Sequence, residues 1–327
     1  MKRFTNILVL CDRELQNTQA LESAIQIAEE NNASITLLLV LPPLTALQTF
    51  AKTQTPEQIQ QSYQQHYLNN LQQFSTKYAD QALIRCKVVV GTSFIETIRA
   101  VLRNQHDLVV KVAEPASWIQ RLLGSNDMHL LRKCPCPLWI LKPGAPSHGR
   151  KVVATVDIEP QGMLFNQSAR HEDQLNQQIV ELAAATATMH QASLDFLHAW
   201  QPQDAGLVLM WCDHPEQAQL EVEQSLYQSQ LAGLDRFKQQ VQAWLSTEAF
   251  SYLQPRFSLL RGEPSQVLVD KIKDINPDLV VMGTVGRSGI AGLLIGNTAE
   301  TILEQLNCAV LAVKPAGFIC PIQLTDE

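Results

Sequence analysis

The sequence predicts an α/β protein made of two tandem domains, each an open, Rossmann-like parallel sheet with helices on both faces. Three observations carry this. Short, near-continuous apolar runs alternate with longer stretches of helical periodicity, as expected for strands that crossover helices bury on both faces. The alternation then repeats in the same order. At 327 residues the chain exceeds one ordinary domain and supplies two that can each bury a core.

In the first half, Ile7–Cys11 reads as a strand because its apolar run ends at the breaker Asp12. Thr18–Asn31 reads as a helix, with Leu21, Ala24, Ile25 and Ala28 along one face. Next come a strand at Ile35–Leu41, an amphipathic helix from Pro56 to Ala79, and a strand at Cys86–Val90. A helix at Phe94–Arg103, a strand at Leu108–Val112 and a fifth strand at Leu138–Leu141 complete this half. The second half repeats the series with insertions at Pro160–Glu172 and Gln201–Cys212, the latter before a long helix over residues 215–247. The first insertion falls beside the expected ligand crevice, where a lid and a plain surface loop are both open readings.

The repeat is legible residue by residue. Ile7–Asp12 matches Val152–Asp157, Ala33-Ser34-Ile35 matches Ala192-Ser193-Leu194, and Gly91 with Asp107–Val110 matches Gly262 with Asp278–Val281 at equal spacing. Cys136–Pro143 matches Cys308–Pro315. Ordered matches of this kind indicate tandem duplication. The Pro/Gly-rich joint Pro143–Arg150 reads as a linker, giving domains at residues 1–145 and 151–327.

The richest stretch is Asp278–Glu300. Leu279–Met282 is a short apolar run between Asn276-Pro277-Asp278 and Gly283, hence a buried strand. A loop with Gly283, Gly286, Gly289, Gly292 and Gly296 follows, and then a helix that Asn297 or Thr298 can cap. Strand, glycine loop and helix start aim free N–H groups and a helix dipole at one place, which attracts phosphate. Arg287 adds a cationic partner, and Thr284, Ser288 and Thr298 add hydroxyls. The strand ends that border the crevice also carry Asp157 and the segment His198–Trp200. Ile290, Leu293, Leu294 and Ile295 make the loop oily, so a ligand bearing an apolar group also suits it.

The first half diverges at the same place. Lys111 stands opposite Met282, Val112 opposite Gly283 and Pro115 opposite Gly286, with Gly124-Ser125 opposite Gly296-Asn297. Proline has no N–H to offer a phosphate, valine avoids positive φ, and Glu114 adds negative charge. This half is expected to have lost nucleotide binding; Lys111 could place a cation near the crevice, but the commoner arrangement, a stem along apolar surface with its head in water, is the one expected.

Composition excludes several classes. A net charge of −7 without a strong basic block argues against a nucleic-acid surface and against polybasic membrane attachment. No apolar run reaches the length of a membrane span, and the N-terminal apolar run is too short for a signal peptide. Seven cysteines, an odd number without paired spacing, suit a reducing cytoplasm. Cys134-Pro135-Cys136 lacks a second pair, so it reads as structural and no metal is expected. There is no G-x-S-x-G or H-E-x-x-H, and no residue presents itself as a general base. The Gln-rich stretches Gln58–Gln73 and Gln217–Gln242 read as solvated or partner-facing surfaces.

The spacing G-x2-G-x9-G-N at Gly283–Asn297 resembles the nucleotide loop of the universal stress protein superfamily, as do the strings D-L-V-V-K (107–111) and H-L-L-R-K-C-P (129–135). The resemblance spans both halves. It implies a cytoplasmic stress-response protein whose two domains pair through their last strands, Pro137–Leu141 and Ala309–Val313, as a pseudo-dimer, with further association into a homodimer open. It implies ATP or a related nucleotide as ligand, held by Asp157, Met282, Gly283, Thr284, Gly286, Arg287, Gly296, Asn297 and Thr298. Asn297 departs from the Ser or Thr that nucleotide-binding members carry. The resulting reading is a ligand-binding sensor without catalytic residues; a slow ATPase or autophosphorylating protein and a ligand-free scaffold are the alternatives.

Overall fold

The computed structural model describes residues 4–15, 18–44, 55–114, 126–143, 150–158, 169–201, 215–284, 296–306 and 308–324. The first half contains β1 (Asn6–Cys11), α1 (Gln19–Asn31), β2 (Ser34–Leu41), α2 (Pro56–Thr76), β3 (Ile84–Val90), α3 (Ser93–Asn104), β4 (Leu108–Val112), α4 (Asn126–Lys133) and β5 (Leu138–Leu141). The second contains β6 (Lys151–Thr155), α5 (Ala169–Met189), β7 (Ser193–Trp200), α6 (Pro215–Trp244), α7 (Thr247–Leu253), β8 (Arg256–Arg261), α8 (Pro264–Ile275), β9 (Leu279–Gly283), α9 (Asn297–Gln305) and β10 (Ala309–Val313).

Local chemistry sets most of these boundaries. Thr55 and Gln58 form a reciprocal capping box with Pro56 at the first helical position, so α2 starts where its backbone donors are satisfied. Asn32, Gln105 and Asn276 take left-handed conformations that end α1, α3 and α8. α2 stops at Thr76, short of the expected Ala79, because turns take over through Gln81. The expected helix over 215–247 runs as α6 to Trp244, and a further short helix follows it: Ser246 Oγ accepts from Ala249 N at 3.1 Å and starts α7. α4 was not legible as a helix in the sequence. α5 already runs at Ala169, so the last residues of the Pro160–Glu172 insertion are helical; its earlier residues, and residues 202–212 of the second insertion, lie outside the described residues.

Among the described residues, ten strands join in one sheet, ordered β3-β2-β1-β4-β5-β10-β9-β6-β7-β8. Neighbours within each half are parallel, and β5 pairs β10 antiparallel. Leu311 faces Trp139 at the centre of that join. These two residues hold equivalent places in the repeated Cys136–Pro143 and Cys308–Pro315 segments, so the pairing has the self-complementary register of a two-fold dimer within one chain. Arg132 Nη2 adds a 2.7 Å contact to Glu300 Oε1 across the halves.

Strand residues alternate between two apolar layers. Ile7, Val9, Leu108, Val110, Leu279 and Val281 pack with α1, α5 and α6 residues such as Ala24, Ile179 and Phe237. Leu8, Val109, Val280 and Met282 pack on the other face with Ile98, Met128, Ile272 and Ile302 of α3, α4, α8 and α9. The Gln-rich α2 buries only Leu71 completely and leans on the core through half-buried Tyr63, Tyr67 and Phe74. Among the described residues, no helix is long and apolar enough to cross a membrane.

Candidate functional site

In each half the strand order reverses between two central strands, β1 and β4 in the first and β6 and β9 in the second. At such a switch point the crossover helices lie on opposite faces and leave a crevice beyond the carboxyl ends of the strands. In the second half, that crevice is bordered by Val156–Ile158 leaving β6 and by Gly283–Thr284 leaving β9.

The β6 exit is held as main chain. Asn176 of α5, 6% exposed, accepts from Asp157 N at 3.2 Å and donates Nδ2 to Asp157 O at 2.6 Å. His198 Nδ1 lies 3.2 Å from both Ile158 N and Val156 O, and its Nε2 lies 3.3 Å from Oε1 of buried Gln230 on α6. Gln230 Oε1 can only accept, so Nε2 donates there and Nδ1 accepts from Ile158 N. Two helices and β7 therefore fix the backbone on both sides of Asp157, whose side chain is exposed.

The β9 exit is the neck of the glycine loop. A Cβ on Gly283 would meet Leu175 Cδ2 at 3.0 Å and Ile179 Cδ1 at 3.7 Å, so the missing side chain lets α5 close on the strand end. Thr284 O accepts from Gly296 N at 3.2 Å, bringing the two ends of the loop together. Thr284 is fully buried, and its Oγ1 accepts from Lys314 Nζ at 2.5 Å, which turns the hydroxyl inward. Lys314 also donates to Leu131 O of α4, in the other half, at 2.5 Å. Burial pulls the Lys314 ammonium down to about 8.

The sequence-expected residues are placed as follows. Met282 is 2% exposed and packs in the α8/α9 layer. Gly296, not Asn297 or Thr298, is the N-cap of α9, with φ −61° and ψ 141°. This is a correction: the helix begins one residue earlier than expected, and its N-cap residue has no side chain to satisfy the first N–H groups. Thr298 is half-buried in the first turn. Gly286, Arg287 and Ser288 lie outside the described residues, as do Ile290, Leu293, Leu294 and Ile295. Asn176, Gln230 and Lys314 were missed by sequence reasoning, and His198 was noted only by its place at a strand end. Asn176 had a signal, a polar residue on a helix stripe with Ile179 and Val180; Lys314 resembled any lysine after a strand.

The first-half crevice is built differently. Lys111 is 4% exposed and its Nζ bonds Asp127 Oδ1, while Asp127 Oδ2 accepts from Glu114 N at 2.9 Å. The expectation of a solvated Lys111 head is thus corrected. A carboxylate on α4 draws the ammonium inward, where an unpaired charge would be costly. The residues opposite this pair in the second half are Met282 and Ala299, both buried and apolar. A cavity of about 230 Å³ remains beside Asp12, Lys111 and Glu114. Asp12 Oδ1 accepts from Leu15 N at 2.6 Å, an internal turn contact. Among the described residues, no group of His, Cys, Asp and Glu is arranged to hold a metal ion.

The fold and both crevices can be set beside known proteins. The chain is 25% identical over 323 residues to a universal stress protein E homolog of Haemophilus influenzae, covering 96% of this chain and 98% of that one. It is 26% identical over 336 residues to universal stress protein E of Photorhabdus laumondii, covering 100% of each. Among solved structures, a functionally unknown protein from Pseudomonas aeruginosa PAO1 gives a TM-score of 0.67 at 21% identity, covering 96% of this chain and 94% of that one. A universal stress protein from Archaeoglobus fulgidus gives 0.57 at 16% identity, covering 95% and 97%. These two show a shared fold. The universal stress protein family model matches residues 3–142 and again 172–314, and with two such matches in succession the chain belongs to the universal stress protein family.

Proposed function

We propose that the chain binds ATP, a related nucleotide or another small phosphate-containing molecule in the crevice of its second half, and acts as a cytoplasmic sensor or regulator in stress response. The observation that carries this is the neck of the glycine loop. Thr284 O and Gly296 N, 3.2 Å apart, bring the end of β9 and the start of α9 together, so the loop between them leaves the strand and returns beside the N-terminus of α9. Gly296 leaves the first N–H groups of α9 without a side-chain cap. A phosphate there gains those donors and the positive end of the helix dipole. Asp157, on a backbone held by Asn176 and flanked by the His198 contact, stands across the crevice as an acceptor for a ribose hydroxyl.

The first-half crevice carries Asp12, Glu114 and an internally neutralised Lys111, so it favours phosphate less. One ligand per chain follows. Native mass spectrometry of protein purified without added nucleotide, with ATP titration by calorimetry, tests this. One ATP per chain is expected, lost in Gly286→Pro with the circular-dichroism melting curve unchanged. Unchanged affinity in that folded variant refutes the cradle.

A further inference from the structure

Cys134-Pro135-Cys136 links α4 to β5, at the join between the two halves. The chain bends at Pro135–Cys136, and the two Sγ atoms lie 3.7 Å apart. Both cysteines are free and buried, at 1% and 9% exposure. The coil after β10 roofs them from the opposite half. Lys314 Nζ donates to Leu131 O, one turn before Cys134, and Cys320 Sγ donates to Lys133 O at 3.3 Å. The thiols are inequivalent. The hydrogen bond from Cys136 lowers the Cys134 thiol, with Lys314 as a nearby cation, while Cys136 is held well above its ordinary value by the same bond and by burial. Of two sulfurs so placed, the one that reacts as thiolate attacks and the other resolves.

We propose that Cys134 and Cys136 are a site of reversible oxidative modification, closing to an intramolecular disulfide across the two-residue step. With a peroxide as oxidant, the Cys134 thiolate attacks one peroxide oxygen. The O–O bond breaks, the departing hydroxide takes a proton and leaves as water, and Cys134 becomes a sulfenic acid. Cys136 sulfur then attacks Cys134 sulfur, its proton leaves with the departing oxygen as a second water, and the S–S bond forms. Two thiols and one peroxide give one disulfide and two waters. A low-molecular-weight thiol supplies the two electrons for the return. The small ring stores strain, which makes such a bond easily reduced and suits a reversible modification. The pair lies near Lys314, which holds Thr284 at the neck of the glycine loop. The dithiol itself does not depend on the ligand reading.

The test treats the full chain with hydrogen peroxide, blocks remaining thiols under unfolding conditions and digests with trypsin. Cleavage after Lys133 and Arg150 yields one peptide, residues 134–150, carrying Cys134 and Cys136 and no other cysteine. The expected result is that peptide lighter by two hydrogens and unalkylated, regaining both alkylation sites after thiol treatment, and behaving identically in Cys320→Ser. In Cys136→Ser, dimedone is expected to trap a sulfenic acid on Cys134. Overturning results are a disulfide to the peptide carrying Cys320, a sulfinic acid on either cysteine without the internal loop, or both thiols still alkylated after peroxide. Dimedone labelling of Cys136 in Cys134→Ser, with none of Cys134 in Cys136→Ser, overturns the assignment of the attacking sulfur.

Discussion

Lys314 Nζ donates to Thr284 Oγ1, so the residue that opens the glycine loop of the second half is held by a buried cation that also reaches Leu131 O in the first half. The neck of the candidate site and the join between domains thus share one side chain.

That cation sets a pH dependence. The folded Lys314 titrates at about 8, below its ordinary value, because burial disfavours the charge. Above pH 8 and up to the ordinary lysine value, the unfolded chain holds a proton that the folded chain has released, so this contribution to stability rises with pH. Below that window both states are charged and the contribution is flat. Urea unfolding across it is expected to show wild type gaining on Lys314→Met as pH rises; a constant difference would falsify the assignment.

Asn176→Ala leaves both main-chain polar groups of Asp157 without the side chain that pairs them. An unsatisfied buried group costs about 1–3 kcal/mol, and the β6 exit loses its fixed course. Lower stability in urea and weaker ATP binding by calorimetry are the expected outcomes.

The buried pair in the first half makes a sharper test. Lys111→Met alone strands Asp127, at a cost of about 3–5 kcal/mol. Adding Asp127→Ala copies the Met282 and Ala299 arrangement of the second half and is expected to recover most of that loss, less the acceptor of Glu114 N. Chemical denaturation of both variants decides it. A double variant no more stable than the single one counts against the pairing.

Gly283→Val forces a side chain against Leu175 and Ile179 and is expected to cost about 1–3 kcal/mol by overpacking. The thermal midpoint falls if α5 is as tightly seated as it stands here.

Much of the fold was legible because its signals are local. Apolar runs such as Leu108–Val112 and Leu279–Met282, bounded by breakers, marked the strands, and the duplication marked the two halves. The pairing of last strands came from the family resemblance, and the Trp139–Leu311 register bears it out. Capping was less legible: the N-cap of α9 is Gly296, and a glycine announces itself as loop as readily as cap. Ser246, which caps the short helix after the expected long one, reads in sequence as one more polar residue at the long helix's end.

The sequence by itself determined the α/β class and the tandem repeat, because periodicity, breakers and spacing are properties of neighbouring residues; with the family resemblance it also pointed to the glycine loop and Asp157, which are the proposed ligand site. Only the tertiary structure decided the surroundings of that site: Asn176 on Asp157, Lys314 on Thr284, and the turning inward of Lys111. Whether a lysine faces water or a carboxylate depends on which residues, distant in the chain, the fold brings within hydrogen-bonding reach. Burial then makes the unpaired alternative costly, and a single sequence does not record that proximity.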